Sequence, residues 1–259
     1  MPDVGALTRT LRRPLRVCAL YPDLMNIYAD RGNLLMLQRR CEWRGIAFEL
    51  TASGLGEQLE PDASDLFYMG GGQDRDQRLC AEDLIETKRE ALHAAAARGA
   101  VILGVCGGYQ LLGHSYTLGE DRIPGAGLLD LATVREEGPR LIGNAAIEVA
   151  LDGAGAGAGS PNLLAGFENH GGRTHLAADQ RPLGRVLKGH GNDGRSGMEG
   201  AVRGSTIGTY LHGPLLPKNA WFADWLIAAS LGIEIQELAE LDDRLERDAH
   251  LSARRAAGV

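Results

Sequence analysis

A repeated switch between short apolar runs and segments of helical period, spanning residues 15 to 118, most limits what this chain can fold into. Leu15 to Tyr21 (LRVCALY) is apolar and closed by Pro22, and Asp30 and Asn33 then introduce Leu34, Leu35, Leu37 and Cys41 at helical spacing. Ile46 to Thr51 and Asp65 to Met69 read as two further strands, the second ending in the triplet Gly70, Gly71, Gly72. A helix is predicted from Arg75 to Arg98, stopped by Gly99. Val101 to Val105 follows as a run apolar on both faces, which suits a central strand covered by helices on each side. The expected class is α/β, with a doubly wound, mostly parallel central sheet flanked by helices and sites at the carboxyl ends of its strands.

The later half changes character. Ala145 to Leu151, Thr174 to Leu176, Arg185 to Leu187 and Thr206 to Leu211 read as short strands separated by glycine, which either complete the same sheet or add an antiparallel layer. Gly153 to Ser160 (GAGAGAGS) reads as a flexible hairpin tip, and Asn219 to Leu231 and Ile235 to about Arg254 carry helical periodicity. The expected organisation is an N-terminal arm over 1–14, one domain over 15–232, and a C-terminal helix and tail over 233–259 packed on that domain.

A net charge of -7 argues against broad electrostatic binding to nucleic acid, which needs clustered Lys and Arg. No apolar run approaches the length of a membrane-spanning helix, and none follows Arg9 to Arg16 as a secretory signal requires, so a cytoplasmic protein is expected. The four cysteines (Cys18, Cys41, Cys80, Cys106) are scattered, with no CxxC pair or zinc-ligand spacing, so neither a metal site nor a disulfide framework is expected. No GxxxxGK[ST] loop is present, so ATP is not expected on this chain.

Chemistry points to Gly104-Val105-Cys106-Gly107-Gly108. One cysteine stands at the turn from a buried strand into a helix, framed by small residues that a sharp turn and an incoming substrate both require. The helix start favours thiolate, and the Gly107 N–H faces an oxyanion. Cys18, Cys41 and Cys80 lack such a frame and read as small core residues. Of seven histidines, His212 in TIGTYLHGPLL lies just past a strand end and is the expected base. His170 in FENHGGRT competes, as a polar, glycine-framed residue expected at a loop. The Gly70 to Gly72 turn, at the end of a neighbouring strand, is expected to add a second oxyanion N–H.

At these residues the chain resembles the class I, triad-type glutamine amidotransferases, and within them the cobyric acid synthase-like branch. GVCGGYQLLG resembles its nucleophile motif and YLHGPLL its histidine motif. Three further strings, LYPDLMNIYADRGN, MGGGQDRDQ and GFENHGGRT, are similar to the GatD-type glutaminase subunits, which pair with a Mur ligase-like subunit, MurT; the likeness runs from about residue 16 to 230. The resemblance implies a flavodoxin-like fold, Cys106 as nucleophile, His212 as base, and Gly72 and Gly107 as oxyanion donors. It implies Arg140, in PRLIGN, as the arginine holding the α-carboxylate of L-glutamine, and Gln110 in the wall of the glutamine pocket. It further implies a heterodimer whose partner, with ATP and Mg, receives the ammonia and amidates D-glutamate in the lipid II stem peptide.

One departure stands out. Most triad-type enzymes carry a glutamate two residues after the histidine, and here that position is Pro214. The orienting group is then Glu168, Asp23, a backbone carbonyl or an aspartate of the partner. Two other readings keep the thiol or the fold: a free-standing cysteine hydrolase acting on γ-glutamyl peptides, and a scaffold that has lost catalysis.

Overall fold

The computed structural model describes residues 13–26, 31–149, 151 and 162–259. The glycine-rich stretch expected as a hairpin tip, the proposed helix start at Asp30, and most of the expected N-terminal arm lie outside the described residues. Arg13, at the end of that arm, pairs with Asp65 at 3.0 Å and donates to the Ser230 carbonyl.

The elements alternate as the sequence pattern demands: β1 (Leu15–Leu20), α1 (Arg31–Trp43), β2 (Phe48–Ser53), β3 (Leu66–Met69), α2 (Asp74–Asp83) running through a π-helical turn (Leu84–Lys88) into α3 (Arg89–Ala97), β4 (Val101–Val105) and α4 (Gly107–Leu112). Then come β5 (Ser115–Leu118), β6 (Asp121–Pro124), β7 (Leu131–Arg135), β8 (Leu141–Val149), β9 (Leu163–His170), β10 (Gly172–Leu176), β11 (Gly184–Lys188), β12 (Met198–Glu199), β13 (Ala201–Arg203), β14 (Thr206–Thr209), α5 (Ala220–Leu231) and α6 (Arg244–Ala257).

The central sheet has six strands in the order β13-β14-β4-β3-β1-β2, parallel throughout except for the antiparallel edge strand β13. Alternation along its strands divides two cores. Leu15, Val17, Leu66, Tyr68, Val101 and Leu103 face α1 and α5 with Leu37 and Leu226, whereas Cys18, Leu20, Phe67, Met69 and Ile102 face α2 and α3 with Cys80, Leu92 and Ala95. Both faces are covered, which is why these strands read as continuous apolar runs.

The later strands take both of the expected options. β13 and β14 complete the central sheet, while the others form two further four-stranded sheets, β10-β7-β5-β6 and β12-β11-β8-β9. The predicted strand Ile46 to Thr51 lies two residues later, at Phe48–Ser53. The region predicted as one helix from Ile235 is a 3-10 turn (Ile235–Glu237) followed by α6, whose residues dock on the domain through Asn144 Nδ2 to the Ala256 carbonyl and His250 Nδ1 to the Lys218 carbonyl.

Candidate active site

Cys106 stands between β4 and α4 with φ 53° and ψ -106°, one of two described non-glycine residues in the positive-φ region. That conformation costs a side-chain-bearing residue of order 1–3 kcal/mol and persists only where the surroundings enforce it. The enforcement is visible. Cys106 N donates to the Thr209 carbonyl at 2.8 Å, Gly108 N donates to the Gly70 carbonyl at 3.0 Å, and Gln110 N donates to the Cys106 carbonyl at 3.2 Å. A Cβ on Gly108 would fall 2.2 Å from the Met69 carbonyl oxygen, and one on Gly104 would fall 2.9 Å from the Gly108 carbonyl. The glycine frame is therefore a packing requirement.

The frame also brings the two expected oxyanion donors together. A Cβ on Gly107 would fall 2.9 Å from the Gly72 nitrogen, so the turn after β3 lies against the start of α4. Gly72 is itself held by Met25, whose sulfur would be 2.4 Å from a Cβ there.

β14 lies beside β4 in parallel register, Thr209 opposite Val105, so Cys106 and the Tyr210–His212 stretch leave the sheet at the same edge. His212 is fully buried and exchanges backbone hydrogen bonds with Phe167 of β9 at 3.0 and 3.1 Å, and its ring meets the Phe167 ring edge-on at 5.9 Å. Burial, with Lys218 and Arg140 adding positive charge, pushes its imidazole down to about 4, so the ring is neutral near pH 7. Pro214 packs on Gly32, where a Cβ would fall 2.7 Å from the proline Cγ.

His170 is a correction. It ends strand β9 rather than sitting in a loop, stacks on Tyr210 with ring centroids 3.6 Å apart, and donates from Nδ1 to the Gly172 carbonyl at 2.8 Å. Burial pushes it down to about 3. Cys18, Cys41 and Cys80 are buried, and burial pushes each thiol up, the last two to about 12, whereas Cys106 is half-buried.

Arg140 is exposed and held over the end of β9, donating from Nε to Asn169 Oδ1 at 2.8 Å and from Nη2 to the Asn169 carbonyl at 2.7 Å. Gln110 faces inward. Its Oε1 accepts from Gln77 Nε2 at 2.8 Å and its Nε2 donates to the Tyr210 hydroxyl at 3.1 Å, in a buried chain continuing to Thr174 and Thr133. One bond at each end of the amide ties α4 to Gln77 and Tyr210, which fixes the direction of the Gln110 side chain. Glu168 accepts from the backbone N–H groups of His190 and Gly191 at 2.6 and 3.0 Å, while Asp23 is exposed.

Sequence reasoning missed Glu199. This fully buried carboxylate accepts from Tyr210 N at 2.6 Å and from Thr209 Oγ1 at 3.1 Å, fixing the backbone that carries His212. Burial pushes it up to about 8, opposed by those donors. An acid inside the polar string GMEG gives no local signal of burial, because the contact that buries it is with the end of β14.

Residues 16–220 match the CobB/CobQ-like glutamine amidotransferase domain. The chain is 36% identical over 218 residues to the lipid II isoglutaminyl synthase (glutamine-hydrolyzing) subunit GatD of Streptococcus pneumoniae, covering 84% of this chain and 80% of that one. It is 37% identical over 231 residues to the subunit of the same name from Staphylococcus aureus, covering 88% and 89%. Among solved structures, PurLQS from Thermotoga maritima aligns with a TM-score of 0.56 at 20% identity over 93% of this chain and 98% of that one, a likeness of fold.

Proposed function

This chain belongs to the CobB/CobQ-like glutamine amidotransferase family, and from that premise we propose that it is the glutaminase subunit of a lipid II isoglutaminyl synthase. The observation that carries the reading is the likeness, over 84% and 88% of the chain, to two subunits named for that activity. The site geometry supports it at the level of chemistry.

In this reading the Cys106 thiol gives its proton to neutral His212 and the sulfur attacks the side-chain amide carbon of glutamine. The oxyanion rests on the Gly72 and Gly107 N–H groups, which stay fixed because both turns are packed without room for a side chain. The imidazolium returns the proton to the departing nitrogen and ammonia leaves. His212 next draws a proton from water, the hydroxide displaces sulfur from the thioester, and glutamate leaves as the thiol is restored. Arg140 holds the substrate's α-carboxylate.

The ammonia passes to a Mur ligase-like partner of the MurT type in a heterodimer, which binds ATP and Mg and amidates D-glutamate of the lipid II stem. The pair works in the cytoplasm; among the described residues no helix is long and apolar enough to cross a membrane. The Glu168 oxygens are held by two backbone N–H groups, and this reading favours an aspartate of the partner over Asp23 or a backbone carbonyl as the group that orients His212. Hydrolysis is then slow in the isolated subunit.

The test is ammonia release from glutamine by the chain alone and with a co-expressed Mur ligase-like partner, with the amidated product identified by mass. Faster hydrolysis in the complex and a product lighter than the acid by the mass difference between a hydroxyl and an amino group support the reading. Preferred cleavage of γ-glutamyl peptides, or normal amidation from glutamine by a Cys106→Ser complex, overturns it.

A further inference from the structure

The turn that follows His212 is fastened at both ends and crossed in the middle by one lysine. His212 is paired with Phe167 of β9, and Leu216 N donates to Oδ1 of Asn33 on α1 at 2.8 Å. The buried Asn219 side chain donates to the Ala165 carbonyl at 2.8 Å and accepts from Ala165 N at 2.9 Å. Between these anchors lie Gly213, with φ 88°, and Pro214, which has no N–H to secure the turn. Lys218 closes the gap. It ends a 3-10 turn (Leu216–Lys218), and its half-buried side chain folds back so that Nζ donates to the Gly213 carbonyl at 2.6 Å. A Cβ on Gly213 would fall 3.2 Å from that nitrogen, so the ammonium covers the residue next to the base.

The lysine is itself held in place. His250 of α6 donates from Nδ1 to the Lys218 carbonyl at 2.9 Å. Among the described residues Nζ pairs with no carboxylate, whereas the buried Lys88 is paired with Asp83. Such a charge is costly to keep, and burial holds Lys218 below the ordinary lysine range. Its neighbour across the Gly213 peptide is the imidazole, where Lys218 and Arg140 both oppose protonation. The other titratable groups on the packed elements are turned elsewhere or are neutral. Glu168 is held by His190 N and Gly191 N, Glu199 by Thr209 and Tyr210, and His170 is stacked on Tyr210; Cys106 leaves the sheet at the same edge.

We propose that Lys218 is a positioning residue for His212, fastening the peptide that follows the imidazole and keeping a positive charge beside the base. The proposal rests on the glutaminase reading, in which His212 takes the thiol proton. It gives that step a direction, because an imidazolium formed near an ammonium returns its proton readily to the departing nitrogen.

The experiment follows His212 by histidine-selective NMR of the full-length chain between pH 3 and 8, its signal identified by its loss in His212→Gln. Glutamine hydrolysis is measured beside it, by the chain with its co-expressed partner. In Lys218→Met the His212 midpoint rises by roughly one pH unit, and kcat at pH 7 falls roughly tenfold at nearly constant KM, the size of one charged hydrogen bond. Lys218→Gln, neutral but with a polar head for a half-buried site, moves the midpoint likewise and serves where Lys218→Met does not fold. Lys218→Arg keeps charge and donor and restores both midpoint and rate. A midpoint unmoved in the neutral variants, or raised equally by Lys218→Arg, overturns the proposal, and so does a loss of rate that lies only in KM. A wild-type complex that releases no ammonia overturns the glutaminase reading, and the His212 midpoint still decides whether Lys218 acts on the imidazole.

Discussion

Cys106 combines reactivity with a backbone conformation that no side chain prefers. Its φ of 53° and ψ of -106° are held by the Thr209, Gly70 and Gln110 hydrogen bonds, so the strain is released by removing the Cβ and not by removing the sulfur. Cys106→Gly and Cys106→Ala are both expected to abolish glutamine hydrolysis. The glycine variant is expected to be the more stable of the two by about 1 kcal/mol, read by urea denaturation. Equal stabilities would show that the elbow stores no strain. The glycine frame was legible in the sequence because the sharp turn depends on adjacent residues. His212 was legible for a similar reason, as a residue just past a strand closed by glycine. The inward direction of Gln110 was not, since it depends on Gln77 and Tyr210, 33 and 100 residues away.

At the scale of elements, the site is the place where β3, β4 and β14 end side by side and hand the chain to the Gly72 turn, α4 and the His212 loop. The packing there leaves no tolerance. Gly108→Ala sets a methyl against the Met69 and Gly70 carbonyl oxygens, at 2.2 and 2.9 Å, and rigid backbone supplies neither contact with room to move. The variant is expected to lose at least about 2 kcal/mol of stability and most of its hydrolytic rate, measured by denaturation and by ammonia release. Retained activity at wild-type stability would mean that α4 shifts freely against β3. Strands such as β4 were predictable because burial on both faces writes itself as an apolar run. Strands β5, β6, β7 and β9 were not: β9 reads LLAGFENH, and its polar end is paired with β8 and bridged to the His212 loop, contacts that no local pattern announces.

Across the whole molecule, buried charge ties distant segments together. Arg40 on α1 is fully buried between Asp224 of α5, at 2.5 Å, and Asp243 before α6, at 2.8 Å, and Asp224 also receives Arg44 at 2.7 Å. Asp224→Ala leaves a buried guanidinium half-compensated and is expected to cost about 3 kcal/mol. Asp242→Ala, removing only the exposed pair with Arg244, is expected to leave the unfolding midpoint unmoved. Equal effects would refute the distinction. Glu199 gives a pH dependence with a definite sign. Its carboxyl ionises near 4.5 when free and near 8 in the fold, so the fold holds the proton more tightly. The resulting stability is full below about pH 4.5 and is lost as pH rises through about 8. Thermal unfolding at pH 5, 7 and 9 should show Glu199→Gln gaining on the wild type as pH rises; parallel curves would remove Glu199 from that role.

The sequence by itself determined the alternation of strands and helices, the covered parallel sheet, and the cysteine and histidine at strand ends, because each is enforced by neighbours within a few residues. Tertiary structure alone decided which strand lies beside which, and with that the departure of Cys106 and the His212 stretch from one edge of the sheet and the burial of Glu199. Such contacts join residues far apart in the chain, and their energies come from burial and charge that no local pattern records.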